Sequence, residues 1–144
     1  MLTVFRVNAR LLEKGDQLVA PLGLTSARWQ VIGAIALAGQ ALTCPQIAAS
    51  MGVTRQGTQK QLNLAQKDGL IVAHVNPRHE RSSFYGLTEE GRRLYDAAMV
   101  SQAAWTQALA KGVTPEELET TLHVLNELDI RLQSTALPLS RVNP

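Results

Sequence analysis

Apolar residues recur at spacings of three and four along most of this chain, interrupted by short polar or glycine-containing stretches. That period marks helices with one inward face, and the interruptions carry the residues that start and stop helices. Thr25 before Ser26-Ala27-Arg28-Trp29 can cap a helix, with Leu24 and Trp29 as a hydrophobic staple across the cap. Thr43-Cys44-Pro45-Gln46 and Thr114-Pro115-Glu116-Glu117 have the form of capping boxes, stapled by Leu42/Ile47 and Val113/Leu118. Thr54 is a cap for a helix that Gly69 would end in a left-handed conformation, and Glu89-Glu90 favour the positive end of another helix dipole.

These signals predict six helices: Leu2 to Val19, Ser26 to Ala38, Cys44 to Met51, Arg55 to Asp68, Glu89 to Lys111 and Pro115 to Leu132. Val4, Leu11 and Leu18 form a stripe on the first, and Leu118, Leu122, Leu125 and Leu132 one on the sixth. Between the fourth and fifth helices the period changes. Leu70–Val75 and Ser83–Leu87 read as short strands around the polar loop Asn76–Ser82, whose Asn-Pro is a turn signal. The fold class is therefore mainly α with a small β-hairpin.

The order of elements carries the functional inference. A short helix, the tight glycine-containing turn Met51-Gly52-Val53-Thr54 and a second helix form a helix-turn-helix. In that arrangement the second helix enters the major groove of DNA and presents its N-terminal residues to base edges. Arg55, Gln56, Gln59, Lys60, Asn63 and Lys67 share one face of that helix, with Thr54 at its cap. Arg can grip guanine N7 and O6, and Gln or Asn can grip adenine N6 and N7. The plainer alternative is the solvated face of an amphipathic helix, but such faces usually mix acids with bases, and here Asp68 at the far end is the lone acid. Thr58, Leu62 and Ala65 are left to pack inward. The hairpin tip adds Arg78, Arg81 and Ser82, placed to follow the phosphate backbone or enter a minor groove. Glu80 opposes that, unless it pairs with one of the two arginines.

Composition refines this picture. The 144 residues suit one domain with an added arm. Aromatics are only 4 % against 45 % hydrophobic residues, so the core must be aliphatic. The formal net charge of +2 conceals an uneven distribution: the bases gather in the middle of the chain, and Glu116, Glu117, Glu119, Glu127 and Asp129 in the last helix face only Arg131. Only the middle is suited to a polyanion. No apolar run is long enough to span a membrane, and the N-terminus is too charged for a signal peptide. With one cysteine, Cys44, no internal disulfide is possible, so a cytoplasmic chain is expected.

Taken together, Leu24-Thr25 with Trp29 and Ile32, Leu42-Thr43 with Ile47-Ala48, Met51-Gly52-Val53-Thr54-Arg55-Gln56, Gly69-Leu70-Ile71, Asn76-Pro77 with Arg81-Ser82, and Leu87-Thr88-Glu89-Glu90-Gly91 resemble the MarR family of regulators over nearly the whole chain. The resemblance implies a winged helix-turn-helix domain at 24–88, a dimerisation helix at 1–22, dimerisation helices at 89–137 and a flexible tail at 138–144. It implies a homodimeric repressor that binds double-stranded DNA at a pseudo-palindromic operator and is released by a small phenolic or anionic effector. The family's wing usually carries an Asp and two Arg before the Ser. Here those positions hold His79, Glu80 and Arg81, so Arg81 is the wing residue that matches. Gln61 and Ala65 stand where larger aliphatics are common, which predicts loose packing behind the recognition helix.

The remaining chemistry is sparse. Cys44 opens a helix, where the dipole would lower a thiol pKa and suit a redox-sensing regulator, although a buried small residue is the plainer expectation. His74, His79 and His123 lack ligand spacing, so neither a metal site nor a cofactor is expected. Arg10 and Trp29 are candidates for an effector cleft, against the plainer roles of a surface ion pair with Glu13 and a core aromatic. No phosphate loop, nucleophile–base pair or zinc motif occurs, and His79 beside Glu80 is a poor acid–base pair because adjacent loop residues rarely supply a buried geometry. Binding is favoured over catalysis. A winged-helix adaptor that contacts protein without DNA is the competing class.

Overall fold

A computed structural model describes residues 1–79 and 81–134. The elements follow the caps closely: α1 (Leu2–Val19), α2 (Ser26–Ala38), β1 (Leu42–Thr43), α3 (Cys44–Met51), α4 (Arg55–Lys67), β2 (Ile71–His74), β3 (Phe84–Leu87), α5 (Glu89–Leu109) and α6 (Pro115–Ser134). A single 3-10 turn, Ala20–Leu22, ends α1 and runs into Gly23 at φ 71°. The Thr25 hydroxyl accepts from the Arg28 N–H at 3.3 Å, and Thr114 and Glu117 cap each other reciprocally at 2.8 and 3.2 Å. At α3 the expected capping box between Thr43 and Gln46 is present. The Gln46 side-chain oxygen accepts from both the backbone N–H and the hydroxyl of Thr43, each at 2.9 Å.

The chain divides into two compact units, Met1–Thr106 and Gln107–Pro144. In the first, Val19, Val31, Ile32, Ile35, Ile47, Leu62, Leu70 and Ile71 form an aliphatic core with Tyr85 and Tyr95 at its margins. The sheet is antiparallel with order β1-β3-β2. Ile71 pairs with Leu87 and Ala73 with Tyr85 on one side of β3, and Leu42 pairs with Tyr85 on the other. Alternation along the strands sends Ile71, Tyr85 and Leu42 inward, while Val72 and His74 face solvent. The two-residue strand β1 was not foreseen, because it is too short to show a period. It forms only where the chain entering α3 meets the edge of β3.

Two expectations from the sequence are corrected. The two long strands are trimmed at their ends, to Ile71–His74 and Phe84–Leu87. The packing behind α4 is not loose: Thr58, Leu62 and Ala65 are all fully buried. The tail at 138–144 lies outside the described residues, as does Glu80.

Candidate nucleic-acid interface

The helix-turn-helix is held by local chemistry. Gly52 ends α3 at φ 63°, a left-handed conformation that favours glycine. Two residues later Thr54 caps α4: its hydroxyl accepts from the Gly57 N–H at 3.1 Å, and its carbonyl accepts from the Thr58 hydroxyl at 3.0 Å. The register that buries Thr58, Leu62 and Ala65 turns Thr54, Arg55, Gln56, Lys60, Asn63 and Lys67 outward, and all six are exposed.

Gln59 behaves differently. It is half-buried, and its amide nitrogen donates to Asn63 Oδ1 at 2.9 Å and to the Tyr85 hydroxyl at 3.1 Å. Both of its donors are thereby used, and Gln59 braces α4 against β3. With Oδ1 occupied, Asn63 is left with its NH2 group to offer outward. Asp68, the one acid at this end of α4, is 2.5 Å from Arg28 of α2. Its charge is therefore compensated from behind, and the outer face of α4 is cationic and rich in amides. The Arg28 partner lies 40 residues away in sequence, with no local signal to announce it.

The hairpin tip is organised by Asn76, which the sequence marked only as a turn residue. Its side chain is buried. Its Oδ1 accepts from the Arg78 N–H at 3.1 Å, and its Nδ2 donates to the Ser82 carbonyl at 3.0 Å. Two backbone turns, His79 N–H to the Asn76 carbonyl and Ser82 N–H to the His79 carbonyl, complete the tip. Such an Asx turn ties the loop's two ends together. Arg78, His79 and Arg81 are held outward, and Ser82 is half-buried. The base of the hairpin is fastened to α5. The Thr88 N–H donates to the Leu70 carbonyl, and its hydroxyl donates to the Gly69 carbonyl at 2.7 Å while accepting from the Gly91 N–H at 3.0 Å.

The other candidates separate. Trp29 packs partly buried against the core, near Gly15 of α1, and Arg10 is exposed on α1. A shallow cavity of about 370 Å³ lies elsewhere, between the end of α2, β3 and the start of α5, lined among others by Ile35, Gln40, Leu87 and Arg92. Cys44 is half-buried, and its thiol donates weakly to the Arg55 carbonyl at 3.5 Å. Burial pushes that thiol above its ordinary range, and the charge of Arg55 opposes the rise only in part. The direction is opposite to the dipole-lowered thiol of the redox-sensing alternative, and the expected burial is only partial. Among the described residues no three His, Cys, Asp or Glu side chains are placed to hold a metal ion, and no helix is long and apolar enough to cross a membrane.

Each unit also bares apolar surface. Leu2, Val4, Phe5, Val7 and Leu11 are exposed on α1, and Leu118, Leu122, Leu125, Leu128 and Leu132 on α6. Contiguous apolar faces of this kind mark contact surfaces on soluble proteins.

Comparison with known proteins agrees with this geometry. A family model described as MarR family matches residues 22–82. An uncharacterized protein of Mycobacterium tuberculosis is 35 % identical over 131 residues, covering 91 % of this chain and 90 % of its own. Among solved structures, the MepR–DNA complex of S. aureus superposes with a TM-score of 0.78 at 23 % identity, over 90 % of this chain and 96 % of that one. CouR from Rhodococcus jostii RHA1, bound to p-coumaroyl-CoA, gives 0.71 at 25 % identity, over 96 % and 92 %.

Proposed function

The chain belongs to the MarR family, and from that premise we propose that it is a sequence-specific DNA-binding transcriptional regulator, a repressor that acts as a homodimer on a pseudo-palindromic operator. One observation carries this: the exposed face of α4 holds Arg55, Gln56, Lys60, Asn63 and Lys67, while the neighbouring acid is neutralised from behind by Arg28. The N-terminal part of α4 reads base edges, with Arg55 and Gln56 suited to guanine and adenine. Arg78, Arg81 and Ser82 of the wing follow phosphate or the minor groove. Lys67, at the far end of α4, contacts backbone. The MepR complex supports this use of the fold.

Dimerisation is supported by the bare apolar faces of α1 and α6, which a second copy of the chain would cover. Two recognition helices one DNA turn apart then define two half-sites. The effector is a small phenolic or anionic molecule, a reading supported by the acyl-CoA held by CouR. It acts by favouring one of two dimer states, with Arg10 and Trp29 as the residues to test first. The work is binding without catalysis, carried out in the cytoplasm.

Selection of duplexes from a random pool, followed by gel shifts, tests the reading. Arg81→Ala should weaken all sequences alike, whereas Gln56→Ala and Lys60→Ala should also change base preference, by about 1–3 kcal/mol per lost contact. Binding unaffected by all three changes would refute it. Elution from a DNA column that ignores salt would favour the protein adaptor instead.

A further inference from the structure

We propose that Ser26 and Arg28, on the first turn of α2, are positioning residues that join α1 to α4 as one body and so set the distance between the two recognition helices of a dimer. The proposal rests on the dimeric DNA-binding function argued above. It starts from two links that converge on one helical turn.

The first link runs to α1. The Ser26 N–H donates to the Asp16 carboxylate at 2.6 Å, and the Ser26 hydroxyl donates to the Leu12 carbonyl at 2.9 Å. A hydrogen bond to a carboxylate is short and strong. Gly15 makes the approach possible, since a Cβ there would lie 2.7 Å from the Ser26 hydroxyl oxygen. Ser26 is buried in this contact. Besides these bonds, α1 meets α2 through apolar packing of Val19 and Trp29, which has no directional hold on the angle between the helices.

The second link runs to α4. Arg28, two residues on, pairs with Asp68 at the C-terminal end of α4, and the arginine side chain is only 18 % exposed. Its Nε is buried with no hydrogen-bond partner. An ion pair buried on the arginine side and open to solvent on the Asp68 side, with an unsatisfied N–H, is weak evidence for stability. Its use is better sought in geometry. The Gln59–Tyr85 bond braces the middle of α4, and Arg28 fixes one end. The 13 residues of α4 span about 20 Å at 1.5 Å per residue. A rotation of roughly 10° about the Asp68 end would carry the Arg55 end about 3.4 Å, one base-pair step along DNA.

Operator spacing gives the test. The full chain would be titrated against its selected operator, against versions with one or two base pairs inserted between half-sites, and against a single half-site. Wild type should lose about a hundredfold in affinity on a two-base-pair insertion, the equivalent of one or two lost base contacts. Asp16→Ala with Ser26→Ala, which removes both side chains of the first link, and Arg28→Met with Asp68→Leu, which removes both charges of the second, should each reduce that loss to about tenfold or less while half-site affinity stays within about threefold. Circular dichroism and sedimentation would confirm folded dimers. If one variant fails to fold, the other still decides, because each link lies on the same path. Folded variants that discriminate spacing as strictly as wild type would overturn the proposal while leaving the DNA-binding function intact. Wild type that binds no duplex at all would instead remove the function on which it rests.

Discussion

Replacing Gly91 with alanine tests how the wing is fastened to α5. A Cβ at this position would overlap the carbonyl oxygen of Leu70 and come within 2.9 Å of its carbonyl carbon. Both are backbone atoms, so no side chain can swing aside. Relief requires the first turn of α5 to back away from the start of β2, which breaks the Thr88 N–H bond to Leu70 at 3.1 Å and the Thr88 hydroxyl bond to Gly69 at 2.7 Å. Each lost bond costs about 1 kcal/mol and the crowding about 1–3 kcal/mol. Alanine returns about 1 kcal/mol of helix propensity. The net loss should be about 2–4 kcal/mol, a large share of the roughly 5–15 kcal/mol that holds a typical domain together. Urea unfolding followed by circular dichroism, at one fixed protein concentration because a dimer's stability depends on it, measures this directly. Gly33→Ala is the control. It lies inside α2, and its new Cβ would meet only Tyr95 Cε2 at 3.6 Å, an ordinary contact, so it should be neutral or stabilising by up to about 1 kcal/mol. A Gly91→Ala unfolding free energy within about 0.5 kcal/mol of wild type would refute the argument.

Three further outcomes are expected. Arg81→Ala should lower the slope of log affinity against log salt by about 0.9 per lost phosphate contact, or about 1.8 for a dimer, and an unchanged slope would remove Arg81 from the backbone contacts. Asn76→Ala should loosen the wing tip, raising protease cleavage between residues 77 and 82 and weakening DNA binding although Arg78 and Arg81 remain. Equal protection in wild type and variant would show that the Asx turn is dispensable. Because burial raises the Cys44 pKa, the thiolate is scarcer than in a free thiol at any pH below that raised value. Alkylation at pH 8 should therefore be slower than for a small exposed thiol and should rise with pH, and labelling as fast as the small thiol would restore the redox-sensing alternative.

Local chemistry made much of this protein readable in advance. A cap such as Thr25, Thr54 or Thr114 acts on N–H groups two or three residues away, and a left-handed glycine such as Gly52 or Gly69 acts on its own turn. Interactions of that range are written in consecutive residues. The helix order, the helix-turn-helix and the outward face of α4 could therefore be read directly. The inner face of α4 was misjudged because Ala65 looked too small, yet it is fully buried within the same aliphatic core as Leu62 and Leu70.

What tertiary structure alone decided lies between distant residues. The strand β1 exists because β3 offers it an edge. Gln59 is a brace because Tyr85 stands 26 positions away with a free hydroxyl. Asp68 is neutral in effect because Arg28 reaches it from α2, and Gly91 is required because Leu70 passes beside it. No sequence period encodes such pairings, since each depends on the packing that brings the partners within a few ångströms. Neighbouring residues set where each helix runs and which of its faces is polar; packing between distant segments settles which of those polar groups are held and which are left to meet a partner.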